Sequence, residues 1–141
     1  MKMYTVGFIF NEDLSQVLLI KKTHPDWQKG KLNGVGGRIK PEEESLGCIV
    51  REVAEEAGLQ TKPESWIYFA KMKGSEQSVD FYAHVYKESA GALVSLTDEE
   101  IGWFKSNELP DFVIDNLRWL IPLAIDKLKN DTFHHCEIEH K

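Results

Sequence analysis

Two periods in the placement of hydrophobic residues predict two kinds of element along this chain. Short runs rich in β-branched and aromatic side chains predict strands at 4–10, 16–21, 65–72, 78–86 and 100–104. The turn residues 11–13 join the first two strands into a hairpin, and Gly74–Ser75 joins the third to the fourth. The pattern therefore predicts a sheet that contains two hairpins.

A helical period appears in two places. We expect the first helix to begin at Pro41, with acidic residues 42–44 in its first turn, and to end at Gly58. Its apolar face consists of Leu46, Ile49, Val50, Val53, Ala54 and Ala57. A second helix is predicted at 115–129, where Pro122 requires a kink or a later start. Residues 23–37, with a proline and four glycines, predict a loop that bends sharply or approaches a ligand closely.

Composition bounds the class of protein. The chain has 141 residues, 42% hydrophobic and 11% aromatic, which predicts one domain over 1–130 and a polar, flexible tail over 131–141. The first residues predict a strand rather than a signal peptide, and no run is long enough to span a bilayer. Two cysteines, Cys48 and Cys136, favour a reducing, cytoplasmic setting. A net charge of −6 argues against duplex nucleic acid as a partner, and a homodimer is left open.

Three glutamates crowd one side of the first helix. Glu52, Glu55 and Glu56 are spaced three and four residues apart, so they are neighbours on the helix surface and repel one another. Either water screens them, as on most charged helix faces, or a cation lies among them. Magnesium prefers oxygen ligands, and the preceding glycine-rich loop offers backbone groups at close range, here at Gly36 and Gly37. The pattern favours metal-bridged phosphate chemistry.

The spacing of these acids belongs to a longer motif, G-x5-E-x7-R-E-U-x-E-E-x-G-U, where U is a bulky aliphatic residue. Its positions are filled by Gly37, Glu43, Arg51, Glu52, Val53, Glu55, Glu56, Gly58 and Leu59. With every fixed position of the Nudix box present over residues 37–59, the sequence resembles a Nudix hydrolase.

The resemblance implies a fold and a chemistry. The fold is an α/β/α sandwich, with a mixed sheet between helices. The glutamates at 52, 55 and 56 and the carbonyl of Gly37 line the site of Mg²⁺, for which Mn²⁺ is an expected substitute, and one carboxylate activates the attacking water. Arg51 and Glu43 form a salt bridge that braces the catalytic loop against the helix. The reaction implied is hydrolysis of a nucleoside diphosphate linked to another group.

Residues outside the box resemble those of the oxidised-purine nucleoside triphosphatases. The segment LNGVGG at 32–37 matches their WNGFGG-type segment, so Asn33 is expected to contact the base and Trp27 to pack against it. Asp115 and Asn116, followed by a tryptophan, match the acidic pair that reads the purine edge. The alternatives are that Trp27 covers the core and that Asp115 is a helix N-cap.

There are departures from that subfamily. Leu32 replaces a tryptophan, Asn116 replaces the second aspartate, and Val113 falls where a stacking tryptophan is expected. These changes weaken the case for an oxidised guanine as the substrate. Glu99 and Glu100 lie where family members carry a further metal ligand, and strand alternation favours Glu100.

The sequence therefore predicts magnesium-dependent cleavage of a nucleoside triphosphate, damaged or not, to the monophosphate and pyrophosphate. One alternative is hydrolysis of a nucleotide sugar or another nucleoside diphosphate derivative. The other is a non-catalytic Nudix domain that senses a nucleotide. A zinc site among His134, His135, Cys136, Glu137 and His140 is disfavoured because their spacing matches no standard site.

Overall fold

The computed structural model describes residues 1–87 and 100–141. The strands are β1 (Lys2–Phe10), β2 (Gln16–Lys21), β3 (Leu32–Asn33), β4 (Val35–Arg38), β5 (Ile67–Lys73), β6 (Gln77–Val85), β7 (Ile101–Lys105) and β8 (Cys136–Glu139). The helices are α1 (Ser45–Ala57) and α2 (Leu117–Asn130), and short 3-10 turns occupy Asp26–Gln28 and Pro63–Ser65.

In these described ranges the strands form one mixed sheet. β1 lies near its centre, parallel to β6 along their whole lengths and antiparallel to β2 and β4. β2 carries β7 on one side and β3 on the other, while β5 joins β6 as an antiparallel hairpin. Both hairpins expected from the sequence are present, and the parallel pairing of β1 with β6 is what makes the sheet mixed.

The two helices cover opposite faces of this sheet. On β2, the side chain of Leu18 packs with Ile49 and Val53 of α1, whereas Leu19 packs with Leu120 of α2. Successive strand residues point to opposite faces, so hydrophobic residues fill both sides of β1 and β2. Burial of each of these aliphatic side chains stabilises the folded state by about 1.5–3 kcal/mol relative to leaving it exposed to water. The result is the α/β/α sandwich that the sequence predicted.

The first helix begins later than expected. It starts at Ser45 rather than Pro41, and Glu42 has a positive φ of 66° that no helix accommodates. The physical reason is the side chain of Glu43, which accepts a hydrogen bond from the backbone N–H of Lys40 and stabilises a turn there. Gly58, in the left-handed conformation, ends the helix as predicted.

The glycine-rich segment predicted as a loop contains two strands, β3 and β4. Gly36 explains how β4 lies so close to β1, because a Cβ placed on it would meet the carbonyl oxygen of Thr5 at 2.0 Å. Glycine has low strand propensity, so the sequence pattern hid an element that needs glycine for close backbone approach.

The C-terminal part also differs from its prediction. α2 begins at Leu117 and continues through Pro122, and its N-cap is Asn116 rather than Asp115. The segment expected to be an irregular tail contains β8, which pairs in parallel with β5 from Cys136 to Glu139. Cys136 and Ile138 pack against the core, while Glu137 and Glu139 are exposed, an alternation too short to stand out in the sequence. No helix in the described ranges is long and apolar enough to cross a membrane.

Candidate functional site

Two glycines of strand β4 lie in close contact with two carboxylates of helix α1. A Cβ placed on Gly37 would lie 2.5 Å from Oε1 of Glu52, so only a hydrogen atom fits between them. One turn further along α1, Glu56 is 5% exposed, and its Oε1 accepts a hydrogen bond of 3.2 Å from the N–H of Gly36. The period of the helix thus places both acids against the same stretch of backbone.

A guanidinium lies among the remaining acids. Nε and Nη2 of Arg51 donate to the two carboxylate oxygens of Glu43 at 2.8 and 2.9 Å, a bidentate pair. Nη1 of Arg51 donates to Glu52 at 2.9 Å and to Glu55 at 3.2 Å. This arrangement contains the salt bridge expected between Arg51 and Glu43, and it supplies positive charge to the acidic stripe from within the protein.

These contacts shift the ionisation of both partners. The bidentate hydrogen bonds from Arg51, followed by the N–H of Lys40, lower the pKa of Glu43 from 4.5 to about 2. The hydrogen bonds to Glu43 raise the pKa of Arg51. Beneath them, burial raises the pKa of the Cys48 thiol to about 11, so this cysteine is a protonated core residue beside Thr5 at neutral pH.

The three glutamates of the stripe have different surroundings. Glu52 and Glu56 lie against β4, whereas the side chain of Glu55 is 53% exposed and points outward beside Arg51. Across residues 1–87 and 100–141, no three His, Cys, Asp or Glu side chains converge as a ready metal site. The donors that do lie together are two carboxylates and backbone groups at Gly36 and Gly37. All are oxygen or amide groups, and magnesium is commonly held by one or two carboxylates plus substrate phosphates.

Glu100, the predicted additional metal ligand, is not brought to this group. It immediately precedes β7 and lines a cavity with Leu19 and Phe104, whose side chains pack on the α2 side of the sheet. Glu99 lies outside the described residues. Side chains along β7 do alternate between the two faces of the sheet, as expected. The alternation places Glu100 on the same face as Phe104, away from α1.

The residues expected to hold the base lie in and around strand β3. Trp27 is 63% exposed on the turn before β3, and Asn33 donates to the side chain of Gln28 while accepting from the N–H of Gly34. A backbone bridge between Leu32 and Val113 brings the Asp115–Asn116 segment alongside β3. The buried Oδ1 of Asn116 has no hydrogen-bond partner among the described residues.

A family model described as the NUDIX domain matches residues 1–129. The chain belongs to the NUDIX family. With every position of its Nudix box filled, it is a pyrophosphohydrolase of this family.

Solved structures of the same fold include several Nudix proteins of low sequence identity. A MutT from work on the Aliivibrio salmonicida and Vibrio cholerae proteins has 22% identity and a TM-score of 0.68, covering 89% of this chain and 98% of that one. An ADP-ribose pyrophosphatase from Streptococcus suis has 18% identity and a TM-score of 0.70, covering 96% and 98%. The NUDIX domain of Shewanella oneidensis NrtR, complexed with ADP ribose, has 16% identity and a TM-score of 0.71, covering 90% and 88%. At these identities the likeness concerns the fold alone.

One residue of this Nudix site was missed by the sequence analysis. The ammonium of Lys22 lies 4.0 Å from Oε2 of Glu56, with 13% of its side chain exposed. Its position directly after β2 and before the glycine-rich segment was the available signal. Only the fold, however, brings this strand end beside α1. Lys22 therefore adds a positive charge to the group formed by Glu56 and Gly36.

Proposed function

We propose that this Nudix hydrolase cleaves a nucleoside triphosphate to the monophosphate and pyrophosphate with the help of Mg²⁺, with Mn²⁺ as a substitute. The observation that carries the proposal is the pair of carboxylates, Glu52 and Glu56, packed against Gly36 and Gly37 beside the ammonium of Lys22. The carboxylates can hold a divalent cation, and the ammonium attracts the phosphates that this cation would bridge.

The residues that would hold the ion are Glu52, Glu56 and the carbonyl of Gly37, with Glu55 supplying negative charge from the outer side. These donors fit a hard divalent cation because all of them are oxygens. The chemistry that such an ion supplies is polarisation of the phosphoryl oxygens and neutralisation of developing charge. The Arg51–Glu43 pair keeps the preceding turn fixed to the helix and so positions the glutamates.

The protein's own side chains have three further tasks in this proposal. Lys22 attracts the phosphate chain, and a carboxylate of the stripe accepts a proton from the attacking water. Trp27, Asn33 and the Asp115–Asn116 segment contact the nucleoside. The exposed indole of Trp27 supports this role, because a large aromatic surface open to solvent is available to contact the nucleoside.

A second candidate substrate is an ADP-ribose-like nucleoside diphosphate derivative. It is favoured by the ADP-ribose pyrophosphatase and the ADP-ribose-bound domain that share this fold.

A reducing, cytoplasmic location is also part of the proposal, supported by the two free cysteines, Cys48 and Cys136.

A substrate panel separates the two candidates. Purified protein is incubated with Mg²⁺ and each of the nucleoside triphosphates, oxidised purine triphosphates, ADP-ribose and nucleotide sugars, and products are resolved by anion-exchange chromatography. Pyrophosphate with a monophosphate supports the first candidate. Turnover confined to ADP-ribose and sugar nucleotides would replace it with the second.

Glu56→Gln tests the carboxylate pair itself. The amide oxygen can still accept from Gly36, so the fold should persist while kcat falls by about 100-fold or more, as when a transition-state interaction is lost. The matched control is Glu76→Gln in the exposed β5–β6 turn, which should retain full activity. Wild-type turnover in a folded Glu56→Gln protein would reject the proposed site.

A further inference from the structure

A cavity of about 160 Å³ lies on the α2 side of the sheet, between β7, β2 and β3. Its lining residues are Leu19, Lys21, Leu32, Glu100, Phe104 and Phe112, together with the backbone at Ile101 and Gly102. We propose that this cavity receives the base of the nucleotide and selects bases that carry an N–H beside a carbonyl. The inference rests on the proposed function and extends it to base specificity.

The interior of the cavity suits a planar apolar ring. Leu19 and Leu32 are buried at 0% and 3% exposure, and Phe104 and Phe112 contribute aromatic surfaces. An apolar cavity of about 150 Å³ is large enough to bind benzene, whereas pockets for whole ligands measure roughly 300–1,000 Å³. The volume therefore fits one six-membered ring, which in guanine is the ring that carries the carbonyl and the N–H, and leaves the rest of the nucleotide outside.

Gly102 creates much of this space. It pairs directly with Leu19 across the β2–β7 ladder, and a Cβ placed on it would meet only the ring of Phe104, at 3.6 and 3.9 Å. Those are ordinary van der Waals distances. A larger residue could therefore occupy the cavity from this position without displacing the backbone.

Two opposite charges lie at the rim. Lys21 and Glu100 are both exposed, and the backbone N–H of Lys21 donates to the carbonyl of Glu100 at 2.7 Å, which keeps the two residues adjacent. An ammonium donates hydrogen bonds and a carboxylate accepts them, so together they complement a carbonyl next to an N–H. Guanine, thymine and uracil present such an edge, whereas adenine and cytosine do not.

The cavity is also well placed relative to the carboxylate pair. Lys21 lines it, while the next residue, Lys22, is paired with Glu56 on the other face of the sheet. On β3, the side chains of Leu32 and Asn33 likewise point to opposite faces of the sheet, with Leu32 on the side of the cavity. A nucleotide passing over the end of β2 would place its base beside Lys21 and its phosphates beside Lys22, leaving Asn33 and Asp115 for the sugar.

The deciding variant is Gly102→Val, with Gly74→Val in the β5–β6 turn as its matched control. The valine should raise KM for GTP by about tenfold or more, which corresponds to about 1.4 kcal/mol, and leave the inhibition constant of inorganic pyrophosphate unchanged. The control should leave both constants at wild-type values. A folded Gly102→Val protein with an unchanged KM for GTP would overturn the inference.

A second variant covers the case in which Gly102→Val does not fold. Glu100→Gln should reduce the ratio of kcat/KM for GTP over ATP while leaving the magnesium concentration for half-maximal activity unchanged. If the variant instead needs more magnesium and loses kcat equally for both nucleotides, Glu100 acts at the metal and the inference is wrong.

A binding measurement separates this inference from the proposed function. Guanosine, which has no phosphates, is titrated into ¹⁵N-labelled wild-type protein, and the amide shifts of Gly102 and Leu19 are followed by NMR. Shifts at these amides support the cavity even if the substrate panel shows no triphosphate cleavage. Shifts confined to Asp115 and Asn116 overturn it even if triphosphates are cleaved.

Discussion

The guanidinium of Arg51 lies between Glu43 and Glu52, donating to the first from Nε at 2.8 Å and to the second from Nη1 at 2.9 Å. One side chain thus ties the turn before α1 to the carboxylate that faces Gly37. The guanidinium of Arg51 therefore neutralises part of the negative charge of the glutamates in the Nudix box. A divalent ion would enter a site whose arrangement is already fixed by an internal cation.

Replacing Gly37 with alanine should separate folding from activity. The new Cβ would lie 2.5 Å from Oε1 of Glu52, and the flexible glutamate can move aside, so the melting temperature should change little. A carboxylate displaced by roughly 1 Å can cost about 100-fold in rate, which is the loss of kcat/KM expected here. The control is Gly74→Ala, and equal activities for the two variants would contradict the site.

The Arg51–Glu43 pair should make stability depend on acidity. Because the pKa of Glu43 is lowered from 4.5 to about 2, its contribution to the free energy of unfolding is complete above pH 4.5 and is lost as the pH falls towards 2. The stability difference between wild type and Glu43→Gln, measured by urea denaturation, should shrink across that window. In an Arg51→Gln background the same substitution should have a smaller effect, as a double-mutant cycle would reveal.

Trp27→Ala should weaken substrate binding without weakening the fold. With 63% of the side chain exposed, the change in the free energy of unfolding should stay within about 0.5 kcal/mol. Loss of an aromatic contact with the nucleoside, comparable in size to a stacking contact of about 1–3 kcal/mol, should raise KM roughly 5- to 150-fold and leave kcat unchanged. Ile67→Ala, at a 39% exposed position on β5, is the control. An unchanged KM would assign Trp27 a covering role only.

Lys127 should anchor the C-terminal strand. Its ammonium, on a residue only 9% exposed, donates to the side chain of Asp131 at 2.5 Å and to the carbonyl of Phe133. Lys127→Met should lower the free energy of unfolding by about 1–3 kcal/mol, because the carbonyl of Phe133 loses its charged donor. Faster hydrogen exchange at the amide of Ile138 would show the loss, with the exposed Lys129→Met as control. Unchanged exchange would mean that β8 is held by its pairing with β5 alone.

Local patterns predicted much of this fold because their causes are local. The hairpin of β1 with β2 follows from two apolar runs around a turn, and the inward face of α1 follows from helical spacing. The resemblance to the Nudix box implied that Gly37 and the glutamates of α1 lie together, although the glycine-rich segment was expected to be a loop rather than a strand.

The missed features depend on contacts between distant parts of the chain. The parallel partner of β1 is β6, and each residue of β1 pairs with one 75 positions later, as Lys2 does with Gln77. The start of α1 was misplaced because Glu43, which resembles a first-turn acid, uses its carboxylate on Lys40 and Arg51 instead. The phase of β7, and with it the direction of Glu100, is set by its pairing with β2. Spacing along a sequence does not report such registers.

The contact of Gly36 with the carbonyl of Thr5 has a consequence for variant libraries of this protein. Any side chain there would have to push two paired strands apart, and the amide that bonds Glu56 would move with them. In a selection for growth or turnover with position 36 fully randomised, surviving clones should carry glycine codons almost exclusively. Loss of function and loss of solubility should coincide at that codon, whereas they should separate at its neighbour, codon 37.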